Sequence, residues 1–133
     1  MPYGKDGEPV SMQSALDAWE PHAIALLKDT AMTYNGFVTY KRLGDAVQER
    51  SGIRNKGLLT NWIGGLLARV VDHFVRAGVP QLGALCVRAD GTMGEAYRQA
   101  LLAVGSAGDD VNRDQLDDHA AQMRLECYRH FGA

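Results

Sequence analysis

Nine side chains in the middle of this sequence are of the types that contact nucleic acid. Lys41, Arg42, Arg54, Lys56, Arg69 and Arg88 carry fixed positive charge, and Asn55, Thr60 and Asn61 carry short polar groups. Guanidinium and ammonium groups neutralise phosphates, whereas amides and hydroxyls reach base edges when the start of a helix enters a major groove. Asparagine suits adenine, which offers an acceptor and a donor side by side. The nine residues therefore define a candidate surface for duplex DNA.

The charge distribution agrees with that placement. Across 133 residues the formal net charge is only -2, which argues against a generally basic nucleic-acid binder. The charge is uneven, however. Residues 1–27 hold one Lys/Arg against four Asp/Glu, residues 28–101 hold ten against six, and residues 102–133 hold three against six. The middle is thus basic and both ends are acidic, the pattern of a basic working surface between acidic helices.

Other chemistries are less well served. Cys127 and His130 stand three apart on one helical face with His119 two turns earlier, but no C-x-x-C or H-E-x-x-H spacing completes a metal site. Asp109-Asp110 and Asp117-Asp118 pair carboxylates, yet neighbours on a helix point to different sides, and acids gather in first turns for dipole reasons. His73 has no nucleophile placed beside it by sequence, and Gly64-Gly65 lacks the spacing of a phosphate loop. The expectation is a protein without enzymatic activity, cofactor or metal. Two cysteines are too few for a disulfide framework, and no apolar run approaches membrane-spanning length, so no membrane association is expected and a cytoplasmic setting is.

The elements that must position these residues follow from periodicity. Leu59, Trp62, Ile63, Leu66, Leu67, Val70, Val71, Phe74 and Val75 recur at threes and fours, predicting one long helix over about 57–77. Gly78 is placed to end it and Pro80 to prevent continuation. Gly64 and Gly65 within it suggest close approach of another backbone or a partner, with Trp62 a candidate exposed contact. Before it, residues 1–10 read as a flexible arm, Ser11 caps a first helix, and Pro21 implies a kink or a new helix over about 21–34 with Met32 inward. Phe37-Val38 is a short strand, and Thr39 caps a helix to about Arg50 with Leu43, Ala46 and Val47 inside. After the Gly-Val-Pro break, Leu82 to Val87 reads as a strand closed by an Asp90-Gly91 turn. Met93 to Tyr97 returns as the second strand of a hairpin or enters a helix near 95–104. Gly105 to Asp110 is a linker, and Asn112 caps an acidic last helix to about His130.

This order predicts a mostly α domain over 11–133 with a small β-hairpin: a winged helix-turn-helix core with extra N- and C-terminal helices and a wing at 88–93. Three strings carry a family resemblance. At FVTYKRLGDAV, and again at NWIGGLL and VRADGTMG, the chain resembles the winged-helix half of alkylguanine DNA alkyltransferases and alkyltransferase-like proteins. Where that family has its Pro-Cys-His-Arg nucleophile motif this chain has Leu82, Gly83, Ala84 and Leu85, and Asn61 stands in place of its base-displacing arginine. The chain is also similar to small winged-helix-like bacterial and phage proteins of unclear function, through Thr39-Tyr40, Trp62-Ile63-Gly64, Gly78-Val79-Pro80 and Leu82 to Gly94. The resemblance implies a DNA-binding scaffold without alkyl transfer. The alternative is a protein-interaction module on the same scaffold, an adaptor, inhibitor or self-associating homodimer, with no DNA bound.

Overall fold

The computed structural model describes residues 2–33, 36–103 and 113–132, with the side chains of Thr60, Glu95, Leu102, Ala103, Arg113, Asp114 and Gln115 outside the description. It is mostly helical, with two short pairs of strands. No helix of the described residues is long and apolar enough to cross a membrane.

The first residues do not hang loose. Strand β1 (Pro2–Tyr3) pairs antiparallel with β3 (Arg54–Asn55), and Val10 N donates to Pro2 O at 2.9 Å, so the segment is folded back on itself. Helix α1 (Met12–Ala31) starts at Ser11, whose hydroxyl accepts from Ser14 N at 3.1 Å. It runs through Pro21 as one helix, so the new helix that was one of the two expectations at Pro21 does not begin there. Proline removes one intrahelical bond, but Trp19 on one side of it and Ala23, Leu26 and Leu27 on the other are buried. Burial of the larger of these side chains contributes roughly 1.5–3 kcal/mol each, enough to hold both halves in line. Met32, expected inside, is 65 % exposed just past the helix end.

Strand β2 (Val38–Thr39) leads into α2 (Tyr40–Ser51), with Thr39 Oγ1 accepting from Arg42 N at 3.2 Å as the cap. Leu43 and Val47 are buried and Gly52, at φ +77°, ends the helix in the left-handed region. The long helix is shorter than its periodicity suggests. A 3-10 turn covers Leu59–Asn61, Trp62 lies outside helical geometry at φ −134°, and α3 runs from Ile63 to Arg76. Trp62 is only 4 % exposed, and its ring packs against Trp19 at a tilt of 37° with centroids 4.4 Å apart, so it belongs to the core and not to a partner surface. Gly78 adopts φ +72° past the end of α3, as its position predicts.

The strand expected at Leu82 to Val87 is mostly a 3-10 turn (Leu82–Leu85), and only β4 (Cys86–Val87) pairs. Its partner is β2, in parallel, with Val38 opposite Cys86 and Thr39 opposite Val87. A two-residue partner can extend the ladder no further. Arg88 N donates to Thr92 O at 2.9 Å to close the Asp90-Gly91 turn, with Gly91 at φ +86°. No return strand follows among the described residues: Met93 N donates to Asp117 Oδ1 at 2.9 Å, and the chain enters α4 (Glu95–Ala103).

Helix α5 (Arg113–Cys127) ends in a π-helical turn, Tyr128–Gly132. The expected cap Asn112 and the linker 105–110 lie outside the described residues. The inner face of α3, through Leu66, Leu67, Val70, Val71 and Phe74, is buried against α1, α4 and the Leu82–Leu85 turn. Helix α5 is fastened by polar contacts as well as by Leu116 and Cys127. Gln81, buried, donates through Nε2 to the Tyr97 hydroxyl at 2.8 Å, which meets His119 Nδ1 at 3.0 Å. Arg124 Nη1 donates to Ala84 O at 3.1 Å.

Candidate nucleic-acid interface

The cations of α2 point outward because Leu43 and Val47 point inward. Lys41, Arg42 and Arg50 line a surface groove of about 770 Å³ whose other walls include Thr39, Asp45, Glu49 and Leu26 of α1. Lys41 is paired with Asp45 at 2.9 Å, one helical turn on, with both partners well exposed. Such a pair is worth only a few tenths of a kcal/mol, roughly 0.3–0.5, so it opposes little to a phosphate.

A second depression of about 320 Å³ adjoins the first through Glu49 and is lined by Tyr3, Lys5, Gly52 and Arg54. Lys56 completes it, its ammonium 5.2 Å from the centroid of the Tyr3 ring. The two depressions form one edge that carries Lys5, Lys41, Arg42, Arg50, Arg54 and Lys56. Its carboxylates are Asp45 and Glu49, with Asp6 and Glu8 in the turn after Lys5.

Two members stand outside the nine sequence candidates: Arg50, in the last turn of α2, and Lys5. The β1–β3 pairing brings Lys5 there, and its Cε lies 2.6 Å from where a Cβ on Gly52 would stand. Nothing local in PYGKDG marks that pairing; the only signal is Gly52 itself, which serves both the helix end and the lysine stem.

The other candidate residues divide. Asn61 is exposed beside Gly57, next to the edge, and the side chain of Thr60 lies outside the described residues. Asn55 is occupied by its own turn: its Oδ1 accepts from Gly57 N at 2.8 Å, and its N–H goes to Gln48 Oε1 at 2.9 Å. Arg69 is on a different face, ion-paired to Asp17 and 4.0 Å from Glu20, both of α1. Arg88 is folded onto the turn, donating through Nε and Nη2 to Thr92 Oγ1 at 3.1 and 2.8 Å. The same threonine holds Asp90, whose carboxyl is lowered by hydrogen bonds from the Thr92 hydroxyl and N–H, with Arg88 adding to the effect.

The segment where the resemblance would put a nucleophile is closed. Leu82, Gly83, Ala84 and Leu85 are all fully buried, and a Cβ at Gly83 would meet Val71 Cγ2 at 2.6 Å. Cys86 is buried in β4, and burial raises its thiol far above the ordinary range, the opposite of what a reactive thiolate needs. Gly64 and Gly65 face no close backbone: the nearest atoms to a Cβ there are Ala96 Cβ and Leu16 Cδ1, each at 3.8 Å. Among the described residues no group of three His, Cys, Asp or Glu could hold a metal ion. No protein-family model, curated protein or solved structure matches the chain.

Proposed function

We propose that this protein binds duplex DNA without transforming it, on a winged-helix-type scaffold whose contact edge is α2, β3 and the turn into α3. The observation that carries the reading is the continuity of Lys41, Arg42, Arg50, Arg54 and Lys56, with Lys5, along two grooves that share Glu49. The order β2, α2, α3, β4 and the Asp90-Gly91 turn agrees with such a scaffold, with residues 88–92 in the place of a wing beside the start of α2. The cations hold the backbone, and exposed Asn61 is the residue placed to reach a base edge.

Fluorescence anisotropy of a labelled duplex tests this. With four phosphate contacts the affinity falls roughly a hundredfold between 50 and 200 mM salt, since each contact adds about 0.9 to the logarithmic slope. Arg54→Glu with Lys56→Glu lowers affinity and flattens that slope. Absence of binding at low salt, or binding insensitive to salt, sinks the proposal. The alternative of a protein partner or a second copy draws on exposed Met32, Phe37 and Leu58, 65, 60 and 73 % accessible. A strictly monomeric mass at high protein concentration counts against self-association.

A further inference from the structure

A groove of about 440 Å³ lies between α5 and the β4 turn, and none of the cations of the proposed DNA edge lines it. Its walls are mostly carbon: Phe37 and Val87 on one side, Ala121 and Leu125 on the other, with Gly91 at one end. Phe37 is held here by its backbone, since Tyr128, which also lines the groove, donates its hydroxyl to Gly36 O at 2.5 Å. The ring itself remains 60 % exposed.

Into this apolar surround comes one charged group, the half-buried guanidinium of Arg124. Its Nη1 is used, donating to Ala84 O at 3.1 Å and directed at Met93 Sδ at 3.4 Å. Among the described residues its Nε and Nη2 have no acceptor and no carboxylate pairs with it, whereas Arg69, a half-buried arginine on the face of α3, has two. Charges taken partly out of water are normally paired, because their desolvation costs free energy that a close counter-charge offsets. The Nε and Nη2 hydrogens form the side of the guanidinium fork that matches a carboxylate in two parallel bonds.

We propose that this groove binds a small monocarboxylate with an apolar body, its carboxylate on Nε and Nη2 of Arg124 and its body between Phe37 and Leu125. The volume is in the range of small-molecule sites, and the ratio of carbon wall to one fixed charge is that of such sites. A bare anion would satisfy the guanidinium and leave Phe37 and Leu125 uncovered. An apolar molecule without charge would do the reverse.

The test is calorimetric titration of the full chain with 3-phenylpropanoate, its neutral amide, acetate and inorganic phosphate. The phenylpropanoate binds at about 1 mM or tighter, judged from its atom count. The amide, acetate and phosphate each bind at least about tenfold more weakly, as loss of a charge-assisted pair or of the apolar contact implies. Arg124→Lys weakens the phenylpropanoate about tenfold while keeping the charge. Because that variant also disturbs the bond to Ala84, Ala121→Phe supplies an independent arm: it fills the groove from an exposed position and abolishes binding with Arg124 intact. Equal binding of acid and amide, equal binding of acid and phosphate, no binding at all, or unchanged binding in Ala121→Phe overturns the proposal. None of these readouts involves DNA, so the two proposals fail separately.

Discussion

Glycines in this chain differ in what surrounds them, and the difference predicts opposite outcomes for one substitution. At Gly65, in the first turn of α3, a methyl group meets nothing nearer than Leu16 Cδ1 at 3.8 Å. Gly65→Ala therefore raises stability by roughly 0.5 kcal/mol, part of the helix-interior difference, moving the thermal midpoint up by about 2 °C. At Gly83 the same methyl meets Val71 Cγ2 at 2.6 Å and Gln81 Oε1 at 2.9 Å, in a fully packed site. Gly83→Ala lowers stability by roughly 1–3 kcal/mol in the same melting experiment. Residue chemistry also sets the alkaline limit. Tyr40 is raised from 10.0 to about 12, by burial first and by the neighbouring Cys86 second, and Tyr97 is raised as well, chiefly by burial. An acid whose folded value is raised contributes full stability below its unfolded value and loses it as pH climbs through the folded one. Denaturant midpoints should thus fall between pH 10 and 12, with Tyr40 accounting for on the order of 2 kcal/mol. Tyr40→Phe removes that share, and an unchanged alkaline profile in this variant refutes the assignment.

At the scale of elements, Arg69 separates scaffold from surface. Its ion pairs with Asp17 and Glu20 join α3 to α1, on partly exposed ground where such pairs contribute little. Arg69→Gln is expected to cost less than about 1 kcal/mol in chemical denaturation and to leave duplex affinity within error of the wild type. A loss of affinity as large as that of Lys56→Glu would return Arg69 to the interface. The helices themselves were legible because their signals are local. Ser11 and Thr39 cap as their types predict, and the three-and-four spacing from Ile63 to Phe74 is buried as one face. What local pattern could not supply was partnership between distant segments. Leu82 to Val87 has the composition of a strand, yet most of it is a 3-10 turn because β2 offers only two residues to pair with. Pro21 looked like a boundary, and apolar burial on both sides kept the helix whole.

For the molecule as a whole, the same contrast holds for the candidate site. Lys41 and Arg42 were readable from α2, and Arg54 and Lys56 from the polar link that follows. Lys5 joins them only through a strand pairing across about half a hundred residues, which no local pattern encodes. Asn55, Arg69 and Arg88 were the right residue types on the page and are engaged elsewhere once the chain is folded. Residue type thus proposes contacts, and tertiary geometry selects among them.

The packed indoles of α1 and the turn before α3 have an optical consequence. The sequence contains two tryptophans, Trp19 and Trp62, and they lie against each other, both nearly inaccessible to solvent. All indole emission therefore originates at a single interior junction, where Trp19 Nε1 also donates to Ile53 O at 2.9 Å. Neither ring can be quenched by touching a nucleotide or a small acid at the surface. A change in emission on adding either one would report that the junction between α1 and the link to α3 has shifted, making the native chromophores a label-free gauge of internal rearrangement.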